Sequence, residues 1–243
     1  MSETRVAIVT GGSGGIGRVV AERLAEDGQT VVVAYAGNAQ RAEETVDAII
    51  AAGGTASAFQ AEVADETQVE ALFEDTEKRY GGVDVVVNTA GIMLLSPLAD
   101  LDLADFDRMH RTNVRGTFVV DQQAVRRLRR GGALINFSTS VTHIAVPNYT
   151  AYAATKGAID GMTLILAKEM RGRDVTVNAV APGPTATPLY FIGKDQETID
   201  RASKAAPLER LGQPEDVAEV VSFLAGPARW INGQVIYANG GVV

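Results

Sequence analysis

Tyr152 and Lys156 stand four residues apart in the run Tyr-Ala-Ala-Thr-Lys. On a helix that spacing sets both side chains on one face, one turn apart. An ammonium beside a phenol favours the phenolate and draws a tyrosine down from its usual pKa of ~10, which gives a proton donor and acceptor usable near neutral pH. A second group, Thr10-Gly-Gly-Ser-Gly-Gly-Ile-Gly17, follows a short apolar run and opens a helical pattern. Gly11, Gly15 and Gly17, with Ser13 and Ile16 between them, let the chain turn tightly and offer bare backbone N–H groups to a phosphate. One motif suits a dinucleotide and the other moves a proton, so the pair reads as hydride-transfer chemistry.

A scaffold must bring these two distant motifs together. Short β-branched runs at 6–9, 31–33, 83–87, 134–137, 175–180 and 234–237 read as buried strands, with 55–60 as a weaker seventh. Helical patterns lie between them at 16–27, 40–52, 66–80, 105–130, 151–170 and 214–224. Glycines such as Gly28, Gly81 and Gly226 follow their ends, as helix C-termini favour. Alternating strands and helices imply parallel pairing with right-handed crossovers. The sequence therefore predicts an α/β fold: a single doubly wound, Rossmann-type domain over 1–243, its seven-stranded parallel sheet covered by helices on both faces. Residues 182–207 break the alternation. Pro182, Pro184 and Pro188 open that stretch and a polar helical piece follows, so a substrate lid is expected at about 184–207.

Composition removes several classes of function. The formal net charge of −8 opposes electrostatic capture of nucleic acid or an anionic membrane. The absence of cysteine excludes disulfides, thiolate metal sites and a cysteine nucleophile, and two histidines are too few for a histidine-rich metal centre. No metal is expected. The first apolar run is too short for a signal-peptide core or a membrane span, so a cytoplasmic protein is expected. Arg126, Arg127, Arg129 and Arg130 read as a solvated, basic helix end. His143 reads as a wall of the cleft and His110 as a packed or solvated helix residue.

The glycine spacing, G-x-x-x-G-x-G, taken with Tyr-x-x-x-Lys, resembles the classical short-chain dehydrogenases/reductases, in the branch of the naphthol reductases and 3-oxoacyl-carrier-protein reductases. Asn88-Thr-Ala-Gly91 is similar to that family's Asn-Asn-Ala-Gly, with Thr89 in place of the second asparagine. Asn113 in Asn-Val-Arg-Gly resembles the catalytic-helix asparagine, and Asn178-Ala-Val-Ala-Pro-Gly183 the turn that meets the nicotinamide. Asn232-Gly-Gln-Val-Ile and Asn239-Gly-Gly241 resemble the C-terminal strand and tail, with Asn239 where aspartate is usual.

The resemblance implies roles. Tyr152 is the proton donor, Lys156 lowers its pKa and holds the nicotinamide ribose, and Asn113 anchors a water leading to Lys156. A further hydroxyl is expected 13 or 14 residues before the tyrosine, where Thr139 and Ser138 stand. The gapless match of Ala145-Val146-Pro147 to naphthol-reductase-like members favours Ser138, with Ser140 as the alternative. The cofactor set is Gly11, Ser13, Gly15, Ile16, Gly17, Tyr35, Asn38, Glu62, Val63, Asn88, Ala90, Gly91, Tyr152, Lys156, Pro182, Gly183 and Thr185. The second strand runs into Tyr35-Ala-Gly-Asn38 without a carboxylate to bond a ribose 2′-OH or repel a 2′-phosphate, so NADP(H) is favoured over NAD(H). Arg18 and Arg41 are candidate charge partners, whereas Gly14 stands where many NADP-binding relatives carry a cation.

The expected activity is reduction of a ketone, aldehyde or 3-oxoacyl carbonyl to an alcohol. An NAD-linked alcohol or sugar-alcohol dehydrogenase and a non-catalytic dinucleotide sensor are the alternatives. Met93, Leu94, 144–149 and 184–192 would line a mostly apolar substrate pocket, which does not indicate a strongly anionic substrate. The resemblance also implies a homotetramer, joined through the helices at 105–130 and 151–170.

Overall fold

The computed structural model describes residues 4–243. Seven strands, β1 (Val6–Thr10), β2 (Thr30–Tyr35), β3 (Thr55–Gln60), β4 (Val83–Asn88), β5 (Leu128–Phe137), β6 (Thr176–Pro182) and β7 (Val235–Ala238), form one sheet in the order 3-2-1-4-5-6-7. Every neighbouring pair is parallel. β1 and β4 are buried along their whole length. A strand covered on both faces favours apolar side chains throughout, so these segments read as mostly apolar runs, interrupted in β4 by Asp84, which Arg129 and the Val6 N–H satisfy.

The helices are α1 (Gly15–Glu26), α2 (Ala39–Ala51), α3 (Glu66–Tyr80), α4 (Leu103–Met109), α5 (Gly116–Arg127), α6 (Val141–Ile144), α7 (Thr150–Glu169), α8 (Pro188–Phe191), α9 (Gln196–Ala205) and α10 (Pro214–Ala225). Alternate strand residues feed two cores. Val9, Val33 and Ile135 pack under Leu24 of α1, Ile49 of α2 and Val221 of α10. Ile8, Val32 and Leu134 pack under Phe73 of α3, Val120 of α5 and Ala167 of α7. The strand order reverses between β1 and β4, and a crevice opens there beyond the strands' carboxyl ends. Residues 184–207 hold α8 and α9.

One predicted element is corrected. The helix expected at 105–130 is α4, a π-helical turn at His110–Arg115, and α5, and the chain then enters β5 at Leu128. The helix ends at Leu128, whose ψ of 130° leaves the helical region, and two contacts hold the strand that follows. Arg129 Nε donates to Asp84 Oδ1 at 2.8 Å and so pins this segment beside β4. Gly132 fits only without a side chain, since a Cβ there would lie 2.7 Å from the Arg129 carbonyl oxygen. Two of the arginines read as solvated are thus ion-paired, because Arg127 Nη1 also meets Glu77 Oε2 at 2.7 Å.

The same segment buries a carboxyl. Asp121 of α5 accepts from Asn136 Nδ2 of β5 at 2.8 Å, and its other oxygen has no partner. Burial pushes its pKa up to about 7, opposed only in part by the Asn136 bond. A carboxyl whose folded pKa lies above its unfolded one destabilises the fold as pH rises from ~4 through that folded value. Asp121→Asn is therefore expected to raise stability by about 2–4 kcal/mol at pH 8 and by much less at pH 5. Thermal unfolding at the two pH values checks this, and an unchanged or lower midpoint at pH 8 would refute it.

Candidate active site

The cofactor end of the crevice is built from β1, β4 and the start of α1. Gly11 and Gly15 have φ of +67° and +51°, the left-handed region that glycine tolerates best. At Gly17 a Cβ would lie 2.4 Å from both the Gly11 carbonyl oxygen and Thr89 Oγ1, so the helix start packs directly on the loop after β4. The result is a cradle of backbone at a helix N-terminus, the form that receives a pyrophosphate. Gly11, Gly15, Ile16, Gly17, Ala90, Gly91, Pro182, Gly183 and Thr185 line one cleft of about 1250 Å³, together with Tyr152 and Lys156.

The remaining expected cofactor residues lie outside that cleft wall. Asn88 is buried and accepts from Thr10 Oγ1 at 2.6 Å, tying β4 to β1. Asn38 caps α2, its Oδ1 accepting from Arg41 N at 2.9 Å, which leaves its amide N–H groups to meet a ligand. Tyr35 ends β2, partly buried against the core. Glu62 Oε1 accepts from Ala64 N at 3.3 Å, and Val63 is buried against Gly116. Ser13 occupies the glycine turn. Arg41 joins the cleft wall, whereas Arg18 is spent on Glu22 at 2.8 Å.

Tyr152 and Lys156 project from α7 toward the ends of β5 and β6. Lys156 is buried, 6 % exposed, and donates to the Phe137 carbonyl at 2.8 Å. Its Nζ lies 5.9 Å from the Tyr152 ring centroid. This distance corrects one expectation. Burial, with a smaller contribution from Tyr149, pushes the Tyr152 phenol up rather than down. Burial also lowers Lys156 to about 8. The ammonium serves a carbonyl, and desolvation of the phenolate outweighs its attraction at this range. Tyr152 is consequently a protonated phenol at neutral pH, the state a donor requires.

The hydroxyl triplet is sorted by sheet pairing. Ser138 N donates to Val180 O at 2.8 Å and Ser140 N to Pro182 O at 2.9 Å, so the pairing with β6 continues past β5 and fixes which way each side chain points. Against the larger upward effects of burial and Tyr149, the Thr139 hydroxyl lowers the Tyr152 pKa slightly. Burial raises the pKa of Asp160, one turn beyond Lys156, and Ser138 is close enough to lower it in part, but the buried Ser138 Oγ makes no hydrogen bond. Ser140 Oγ donates to Ala181 O at 3.2 Å and accepts from Asn239 Nδ2 at 3.1 Å. The resemblance favours Ser138 for this place, whereas the electrostatics of the Tyr152 phenol name Thr139. Thr139 is the residue 13 before Tyr152, and the alternation of the extended chain turns its side chain away from those of Ser138 and Ser140.

Asn113 sits fully buried in the π-helical turn, a local widening common at functional sites. Its Oδ1 accepts from Ile92 N at 2.8 Å, and its Nδ2 donates to Ile92 O at 2.8 Å and Thr155 Oγ1 at 3.1 Å. It locks the loop after β4 to the Tyr152–Lys156 helix. His143 meets the Tyr237 hydroxyl at 2.7 Å through Nδ1, and His110 stacks on Phe106 at 4.1 Å between centroids. Among the described residues no cluster of acids and histidines forms a metal site, and no helix is long and apolar enough to cross a membrane.

Glycine cradle, crevice and phenol–ammonium helix together mark a nucleotide-dependent oxidoreductase. A family model described as enoyl-(acyl carrier protein) reductase matches residues 11–243. A short-chain type dehydrogenase/reductase of Picea abies is 42% identical, the match covering 98% of this chain and 92% of the relative. An Arabidopsis thaliana protein named an NADPH-dependent aldehyde reductase-like protein, chloroplastic, is 39% identical over 98% of this chain and 94% of its own. A short-chain dehydrogenase of Burkholderia cenocepacia, solved in complex with NADP, superposes with a TM-score of 0.92 at 37% identity, covering 99% of this chain and 98% of its own. The chain belongs to the short-chain dehydrogenase/reductase family and is an oxidoreductase of that family.

Proposed function

We propose that this protein reduces a ketone or aldehyde carbonyl to an alcohol with NADPH. The observation that carries this reading is the Tyr152 phenol, kept protonated by burial, with the Thr139 hydroxyl beside it and Lys156 one turn on, all facing one cleft. The backbone around Gly11, Gly15 and Gly17 would hold the pyrophosphate, Lys156 the ribose, and Pro182, Gly183 and Thr185 the nicotinamide end. The bound cofactor supplies the hydride. Thr139 and Tyr152 polarise the carbonyl oxygen by hydrogen bonding, and Tyr152 gives its proton to the alkoxide that forms. The Lys156 charge steadies the phenolate left behind, and Asn113 holds the loop that backs this helix and anchors the water serving Lys156. Loss of NADPH absorbance with a panel of aldehydes, ketones and 3-oxoacyl thioesters tests the reading; no turnover with any class would defeat it.

NADP(H) is favoured because no carboxylate closes β2, while Arg41 and the free amide of Asn38 stand near. A Cβ on Gly37 would meet no atom within 4 Å, so a side chain fits there. Gly37→Asp should shift the NADPH-to-NADH affinity ratio toward NADH by about tenfold through repulsion of the 2′-phosphate. Fluorescence titration reads the ratio, and tighter NADH binding by the wild type would overturn the preference.

We also propose a homotetramer. Phe118 of α5 and Leu164 and Ile165 of α7 are 55%, 48% and 58% exposed, apolar surface that a symmetric assembly would cover. Light scattering is expected to give four times the chain mass, and a stable monomer would refute this.

A further inference from the structure

Lys194, between α8 and α9, lies in the cleft wall but has no part in the reaction at Tyr152. Its Nζ sits 4.4 Å from the Tyr190 ring centroid and 5.9 Å from that of Tyr149. One N–H donates to the Tyr190 carbonyl at 2.7 Å. Among the described residues no carboxylate lies within ion-pair distance of this ammonium. The charged groups around it are already engaged. Asp195 caps α9 by accepting from Thr198 N at 2.9 Å, Arg201 pairs with Glu197 at 3.4 Å, and Asp105 across the cleft pairs with Arg108 at 3.2 Å. Burial lowers the pKa of Lys194, a sign that its charge is poorly hydrated.

Tyr149 links this cation to the reaction centre. Its ring stands edge-to-face with Tyr152 at 6.3 Å. The two steps, 6.3 Å and 5.9 Å, set the greatest separation between the donor ring and the ammonium. A partly desolvated cation with unused N–H groups, flanked by aromatic rings, attracts an anion more strongly than the same cation in water. The apolar lining of this pocket does not indicate a strongly anionic substrate, and Lys194 is a charged group within that lining.

We infer that Lys194 is a specificity residue that anchors a carboxylate on the carbonyl substrate, across the Tyr149 ring from the reacting carbon. This rests on the reductase reading of the same cleft. The test compares 4-formylbenzoate with its methyl ester in NADPH-linked kinetics, using the wild type, Lys194→Gln and Lys194→Arg. The wild type should show a KM for the carboxylate about tenfold below that for the ester, the worth of a charge-assisted hydrogen bond. Lys194→Gln should raise the carboxylate KM about tenfold while leaving the ester and NADPH KM values in place, and Lys194→Arg should retain the preference. Equal KM values in the wild type, or an equal shift for both substrates in Lys194→Gln, would overturn the inference. If neither aldehyde is reduced, the reductase reading fails for this class, and calorimetric titration of terephthalate into the NADP-loaded protein still decides the anchor. Weaker binding to Lys194→Gln supports it; equal or no binding to the wild type overturns it.

Discussion

Tyr152→Phe should lower kcat by about 10²–10⁴-fold, the usual contribution of a general acid, while NADPH affinity and thermal stability stay near wild type. The substitution removes one oxygen from a ring that otherwise keeps its edge-to-face contact with Tyr149 at 6.3 Å. Within the cleft, Tyr149 and Tyr190 also carry phenols, but neither has the Thr139 hydroxyl or the Lys156 ammonium beside it. Retention of more than about a tenth of wild-type kcat would remove Tyr152 as the donor.

The second large effect separates two adjacent hydroxyls. Thr139→Val keeps the branched shape and deletes the group beside the phenol, so kcat should fall by about 10²–10³, as for loss of one oxyanion donor. Thr139→Ser should retain most activity. Ser138→Ala should cost less than about tenfold, since its Oγ faces Asp160 and stabilises no developing charge on substrate. Steady-state kinetics on the three variants checks the order; greater damage from Ser138→Ala would return the role to Ser138.

The parallel architecture was legible because both faces of the sheet are covered. That requirement writes Val-Ala-Ile-Val and Val85-Val-Val87 into the sequence, while Asp84 departs from it as the partner of Arg129. The glycine turn was equally legible, because only glycine tolerates the contacts at residue 17. The start of β5 was hidden. Leu128-Arg-Arg reads as the tail of a basic helix, and what makes it strand is an ion pair to Asp84, 45 residues away. The hydroxyl beside Tyr152 was legible only as a choice, since counting along the chain offers Thr139 and Ser138 alike and the side each faces depends on pairing with β6. Lys194 was passed over because a lysine in a polar stretch carries no mark of the two rings that flank it.

The buried amide of Asn113 has a consequence for mutational accounting. Gly17 rests on Thr89, the loop continues to Ile92, Asn113 clasps Ile92 on both backbone groups, and its third bond reaches Thr155. Thr155 in turn donates to the Tyr152 carbonyl at 2.7 Å. The glycine turn and Tyr152 are therefore two ends of one contiguous network. Energies of substitutions at its two ends should fail to sum, because residues sharing such a network couple. A double-mutant cycle between Thr89 and Thr155 would report that coupling as a departure from additivity, although the two side chains lie far apart in the sequence and share no direct bond.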